Sequence, residues 1–221
     1  TLYGVKKKMP VRKGLWKVKR HLASIYREFF RKGILDLYIN GEKLVYSAPR
    51  ILKTAYYDTP NGEKITWKKE IDFKFGNPIT GLFTAKGFIG IMEKMSVSES
   101  GIALFRRGRV IEGSADNDEG FRPPIILGSL GSHRYKRLFG ELHLEGFNVS
   151  HTKDAFQWDD NKEVFLETLK KELENDNSMP ILKQADNYRV RESANNYKTI
   201  SKNVVDNTTT KIQSTISEEI N

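Results

Sequence analysis

Glu141, His143 and Glu145 alternate along the segment Leu138 to Glu145, and two carboxylates flanking an imidazole form a donor set that a divalent cation accepts. Alternate residues of one strand stand about 7 Å apart, so a single ion would need further ligands from elsewhere. The expectation is therefore an exposed polar strand face, opposite a core face of Leu138, Leu142 and Leu144. Asp116-Asn117-Asp118-Glu119-Gly120 resembles a cation loop only superficially: it lacks the later bidentate glutamate and reads as an exposed acidic turn. Neither a nucleophile elbow nor a Walker phosphate loop occurs.

Two basic features point to phosphate chemistry. Lys153 lies past the final strand, in a short polar loop after Gly146 and before a helix start at Asp160. Its ammonium is a compact charge on a four-carbon stem, suited to a terminal phosphate, although a solvated loop lysine fits the same pattern. Arg106, Arg107 and Arg109 surround Gly108, and Arg134, Lys136 and Arg137 form a second cluster; both could meet the phosphates of DNA or RNA. The neighbouring Phe105, Tyr135 and Phe139 read as core anchors instead of base-stacking platforms.

The elements that must position these groups follow from periodicity. Leu15, Val18, Leu22, Ile25 and Phe29 recur at intervals of three and four, with Gly33 as a stop, which predicts an amphipathic helix that docks on its own domain or on an upstream one. Asn40-Gly41 predicts a tight hairpin between Asp36–Ile39 and Glu42–Val45. From Lys64 to Phe75 the pattern alternates, with Ile65, Trp67, Ile71, Phe73 and Phe75 inward and Lys69 as the one exception. Further strands are expected at Gly87–Met92, Ile102–Phe105, Arg109–Ile111 and Leu138–Glu145. Residues 113 to 137 read as a long loop with one helical turn. Asp160 and Glu163 form a capping-box pattern ahead of Phe165, Leu169 and Leu173.

These elements give an α+β fold: a mixed, mostly antiparallel sheet with helices packed on one face, an N-terminal amphipathic helix and a C-terminal helical tail. The expected organisation is a basic arm and connector helix over 1–33, an α+β domain over 34–175, and a tail over 176–221. In the tail, Ile200, Val204, Ile212, Ile216 and Ile220 keep a four-residue step, a thin stripe that suits pairing with another chain or with downstream sequence.

Composition narrows the classes. The chain has 221 residues, 38% hydrophobic, with no cysteine, so disulfides, thiolate metal sites and cysteine nucleophiles are excluded. Its longest stretch without charge, Phe75 to Ala85, is far short of the roughly 20 apolar residues that cross a bilayer, which argues against a membrane partner and favours a cytoplasmic location. The net charge of +9 belongs to one arm: residues 1 to 33 carry eleven Lys and Arg against Glu28 alone. That arm is either a solvated surface or a site for an anionic partner. The first residue is Thr1, so the sequence reads as a piece of a longer polypeptide.

In this order, the hairpin Leu37-Tyr38-Ile39-Asn40-Gly41-Glu42-Lys43-Leu44, the pair Gly101–Phe105 with Gly108–Ile111, and His151-Thr152-Lys153-Asp154-Ala155-Phe156 resemble the second, transducer domain of the GHKL ATPases. That group contains the ATP-binding half of DNA gyrase, the MutL repair proteins, the ninety-kilodalton heat-shock chaperones and the MORC proteins, and the likeness spans residues 14 to 175, closest to the MORC-like branch. Against the family's His-Asn-Lys-Gln-Asp-Phe, this stretch lacks the Gln, has its Asp one place earlier at Asp154, and carries Ala155 after it.

The resemblance implies that Lys153 senses the γ-phosphate of ATP bound by an upstream ATPase domain of the same chain, with Lys162 as the fallback. The family's acidic residue and Asn on one helix, and its Asp-x-Gly-x-Gly turn, are absent, so the upstream domain would hold ATP and Mg²⁺. This fragment alone would bind no cofactor and hydrolyse nothing. A homodimer and DNA are further partners that the resemblance suggests. The competing readings are a free-standing nucleic-acid-binding module and a metal-dependent hydrolase built on Glu141, His143 and Glu145.

Overall fold

A computed structural model describes residues 13–77, 81–114, 120–152 and 155–189. The chain divides into two units, Thr1–Asn187 and Tyr188–Asn221. Only Tyr188 and Arg189 of the second are described, so the stripe from Ile200 to Ile220 lies outside the described residues, as do Thr1 to Arg12.

The amphipathic stretch forms two helices, α1 (Lys13–Ile25) and α2 (Arg27–Arg31), separated at Tyr26, with Gly33 beyond them in the left-handed region. Strands β1 (Tyr38–Ile39) and β2 (Glu42–Lys43) are the expected hairpin. Asn40 and Gly41 both take positive φ, 54° and 78°, as a primed turn requires. The expected strand from Lys64 is broken. Its first residues form β4 (Ile65–Thr66), which pairs with β3 (Lys53–Thr54), and the long strand β5 runs from Lys68 to Asn77. Trp67 is the hinge: its N–H donates to Leu52 O, its carbonyl accepts from Ile91 N, and its ring N–H donates to Thr54 O.

Strands β6 (Gly81–Ile91), β7 (Gly101–Arg106), β8 (Arg109–Glu112) and β9 (Leu138–Glu145) complete a five-stranded sheet in the order β5-β6-β9-β7-β8. All neighbours are antiparallel except β7 and β9, which run parallel. The fold is thus α+β with a mixed, mostly antiparallel sheet. Where β6 crosses β9, Gly87 has φ 149°, and a Cβ built there would lie 1.9 Å from Glu141 O, so a side chain would force the two strands apart.

Residues between β8 and β9 hold two short helices instead of one turn: α3 (Pro124–Leu127) and α4 (His133–Arg137). The Ser132 hydroxyl accepts from Tyr135 N, 3.1 Å away, and caps α4. Residues 115 to 119, which include most of the acidic turn, lie outside the described residues. Helix α5 (Asn161–Glu174) starts where expected, but without the capping box. Asp160 sits at φ −86°, ψ 9°, outside the extended region from which a cap side chain reaches back, and makes no such bond. Helix α6 (Ile181–Asn187) follows, with Ile181, Leu182, Gln184 and Ala185 buried, so packing continues past the Asn175 boundary.

One side of the sheet carries the aromatic core. Phe73 and Phe75 lie 6.1 and 5.3 Å from the Phe165 ring, and Leu169 and Leu173 of α5 are buried with them. Lys69, the break in the alternation, points the same way and pairs with Asp176 just beyond α5, 2.5 Å away, which explains how a lysine is tolerated there.

The other side is covered too, by α1 and α2, which pack against β8. Helices therefore lie on both faces and not on one. The expected exposed face of Glu141, His143 and Glu145 is corrected accordingly: Glu141 is buried, His143 half-buried, and only Glu145 exposed.

Candidate functional site

Lys153 and Asp154 lie outside the described residues, but the segments that flank them are well placed. Val149 bridges antiparallel to Phe156; Ser150 N donates to Ala155 O at 2.8 Å, and Gln157 N to Asn148 O at 2.9 Å. These bonds close a small hairpin after β9. One carboxylate fixes it to the sheet, because Glu112 Oε1 on β8 accepts from Phe156 N at 2.8 Å and from the Trp158 ring N–H at 2.9 Å. Phe156 and Trp158 then sink into a cluster with Phe147, with ring centroids 5.8 and 5.0 Å away. The fallback residue, Lys162, has its ammonium 5.7 Å from the Phe121 ring centroid on the first turn of α5.

The arginine turn lies at the opposite end of β8. Arg107 and Gly108 take positive φ, 49° and 79°, and connect β7 to β8. Arg107 is exposed at the tip, and Arg106 is half-buried. Arg109 instead lays its guanidinium 5.8 Å from the centroid of the Tyr26 ring, between α1 and α2. A Cβ at Gly108 would stand 3.2 Å from Phe29 Cζ, so the turn is packed against α2. The structure does not bring the three arginines together as a free phosphate-facing cluster. Arg134 and Arg137 of the second basic cluster are likewise engaged, Arg134 with Asp186 of α6 at 2.8 Å and Arg137 by burial.

Where a metal was one reading, there is an ionic lock. Both oxygens of Glu141 accept from Arg31, Oε2 at 2.5 Å and Oε1 at 2.7 Å. Arg27 Nε is 2.9 Å from Oε1, close in distance though off the hydrogen-bond direction. The Arg27 guanidinium is placed 4.9 Å from the centroids of both the Tyr46 and the Phe105 rings. His143 stacks on Phe105 with centroids 4.6 Å apart, and its Nδ1 lies 3.6 Å from Glu28 Oε2. Burial raises the Glu141 pKa, but the Arg31 bonds and the charges of Arg27, Arg31 and His143 outweigh it, so the carboxyl titrates below its ordinary 4.5. For Tyr46 burial dominates, and the hydroxyl is pushed up despite the two arginines. With its oxygens occupied by guanidinium groups, Glu141 has none to offer a cation, and the described residues contain no group of three metal-binding side chains. Sequence reasoning missed this lock, because alternation puts Glu141 opposite Leu138, Leu142 and Leu144; two arginines at i, i+4, Arg27 and Arg31, were the visible part of it.

A cleft of about 450 Å³ opens between helices α1 and α2 and residues 42–47, lined by Trp16, Arg20 and Arg27 on one wall and Glu42 to Ser47 on the other. No helix among the described residues is long and apolar enough to cross a membrane. No protein-family model matches the chain, and no curated protein matches it.

Proposed function

We propose that this chain is the transducer-like part of a GHKL-type ATPase, coupling nucleotide state in an upstream domain to movement of the helices that precede the sheet. The observation that carries the reading is the hairpin after β9. Both flanks of Lys153 are tied to each other and, through Glu112, to β8. A lysine on such a mount can answer to a phosphate outside its own fold, because ordering it costs little once the flanks are fixed.

The γ-phosphate would offer the ammonium an opposite charge in a partly desolvated place, favouring one loop arrangement until hydrolysis removes it. Strand β8 supplies the continuation. One end holds the hairpin through Glu112, and the other holds Arg109 against Tyr26 at the junction of α1 and α2. A shift of the hairpin is thereby passed to the connector helices by one rigid strand. ATP and Mg²⁺ are bound upstream in this reading, in the cytoplasm, and homodimerisation and DNA are downstream partners that the same class of protein would serve.

The test is ATP turnover by the full polypeptide encoded by the reading frame that contains Thr1. Lys153→Ala should lower turnover about 100-fold, the effect of losing one transition-state donor, while nucleotide affinity changes little. Turnover that survives the substitution unchanged, or a reading frame with no nucleotide-binding domain upstream, would overturn the proposal.

A further inference from the structure

The cleft between the two N-terminal helices and residues 42–47 holds about 450 Å³, the size of a small-molecule site. Its charges cancel. Lys19 pairs with Glu42, Lys43 with Asp36 and Arg27 with Glu141, and the remaining wall charges, Arg20 and Glu99, are of opposite sign. An ion entering the cleft would lose hydration without a net field to replace it, so the walls favour an uncharged ligand.

Two apolar side chains stand open on its walls. Trp16 is 58% exposed and Val45 75%, whereas the other two tryptophans, Trp67 and Trp158, are 1% and 9% exposed. The Arg20 guanidinium lies over the Trp16 ring, 5.3 Å from its centroid. An indole has two faces, and among the described residues no aromatic ring is stacked on either. The face turned from Arg20 is a platform for a flat ring, held by offset stacking and by removal of apolar area from water.

The main chain supplies the polar contacts. Val45, Tyr46, Ser47 and Ala48 make no backbone hydrogen bond to another described residue, and Val45 to Ser47 line the cleft in succession. Each offers one N–H donor and one C=O acceptor that must find water or a ligand. A compound whose edge carries a donor beside an acceptor satisfies both kinds of group at once, and such fixed polar contacts are what orient a ligand in a mainly apolar site. We propose that the cleft binds an uncharged planar heteroaromatic compound with adjacent N–H and C=O groups, its ring on Trp16 and that edge on the main chain of Val45, Tyr46 and Ser47.

The experiment titrates quinolin-2-one, which has this edge on a flat uncharged ring, into the whole 221-residue chain and follows the tryptophan indole N–H signals by NMR. The Trp16 signal should shift saturably, while those of the buried Trp67 and Trp158 stay in place. Saturation transfer to the ligand should show affinity about tenfold weaker for Trp16→Ala, which removes the stacking surface. On the unmodified protein the N-methyl derivative, without the donor, should bind about tenfold more weakly, and quinoline-2-carboxylate, of similar size but anionic, should bind no better than the parent. The proposal is overturned if no saturable Trp16 shift occurs, if Trp67 or Trp158 shifts equally, if Trp16→Ala or N-methylation leaves the affinity unchanged, or if the carboxylate binds more tightly.

Discussion

The two faces of the central sheet are held to their helices by different physics. On the α5 side, Phe73, Phe75, Phe147, Trp158 and Phe165 touch ring to ring, and the attraction is apolar burial with aromatic geometry added. On the α1–α2 side Ala103, Phe105 and Val110 form an apolar cluster and Ala23 and Ile25 of α1 are buried, and Glu141 with two arginines adds an ionic attachment. The aromatic contacts gain stability in proportion to area and carry no charge of their own, although the Lys69–Asp176 pair at the end of α5 adds an ionic contact to that face. The ionic face is directional, and removing Glu141 leaves Arg27 buried without a counter-charge, whereas the Arg31 side chain can turn to water.

The contrast can be broken from either side. Phe165→Ala should cost about 4 kcal/mol, with a fall in denaturant midpoint that is the same at low and high salt. Glu141→Ala should cost about 3 kcal/mol, since it strands the buried Arg27; the joint replacement of Arg27, Arg31 and Glu141 by apolar residues of similar volume should cost less than that single change. Equal losses from the single and the triple variant would show that the lock acts by packing and not by charge.

The smallest effect is that of acid. Glu141 has its folded pKa depressed below 4.5, so its contribution is fully present above that value and fades as the pH falls through the lower folded one. Thermal melts below about pH 4.5 should therefore show a stability loss in the unmodified protein that is reduced in Glu141→Gln, with Phe165→Ala retaining the full acid sensitivity.

The same contrast separates what the sequence disclosed from what it withheld. Periodicity read the aromatic face well: Ile71, Phe73, Phe75, Phe165, Leu169 and Leu173 are buried where the alternation and the i, i+4 steps placed them. It failed at Trp67, where backbone bonds to Leu52 and Ile91 interrupt a strand that side-chain alternation alone cannot distinguish from a continuous one. It failed again at Glu141, because a buried charge betrays itself only through partners 110 residues away in the chain. The Asp160 pattern misled for a local reason: Asp159 at φ 45° turns the chain in before the helix, so the capping geometry is never reached. Of the candidate site, the hairpin's position after β9 was legible, whereas its attachment to Glu112 was not, since nothing in the spacing links residues 112 and 158.

Strand β9 occupies the middle of the sheet, between β6 and β7, although among the described strands it is the last to be synthesised. On a ribosome, β5–β6 and β7–β8 can each zip up as they emerge, yet these two hairpins have no common border until Leu138–Glu145 arrives to solder them. Until then the nascent chain carries two incomplete ribbons with bare inner margins, and chaperone dependence should peak in that interval of translation.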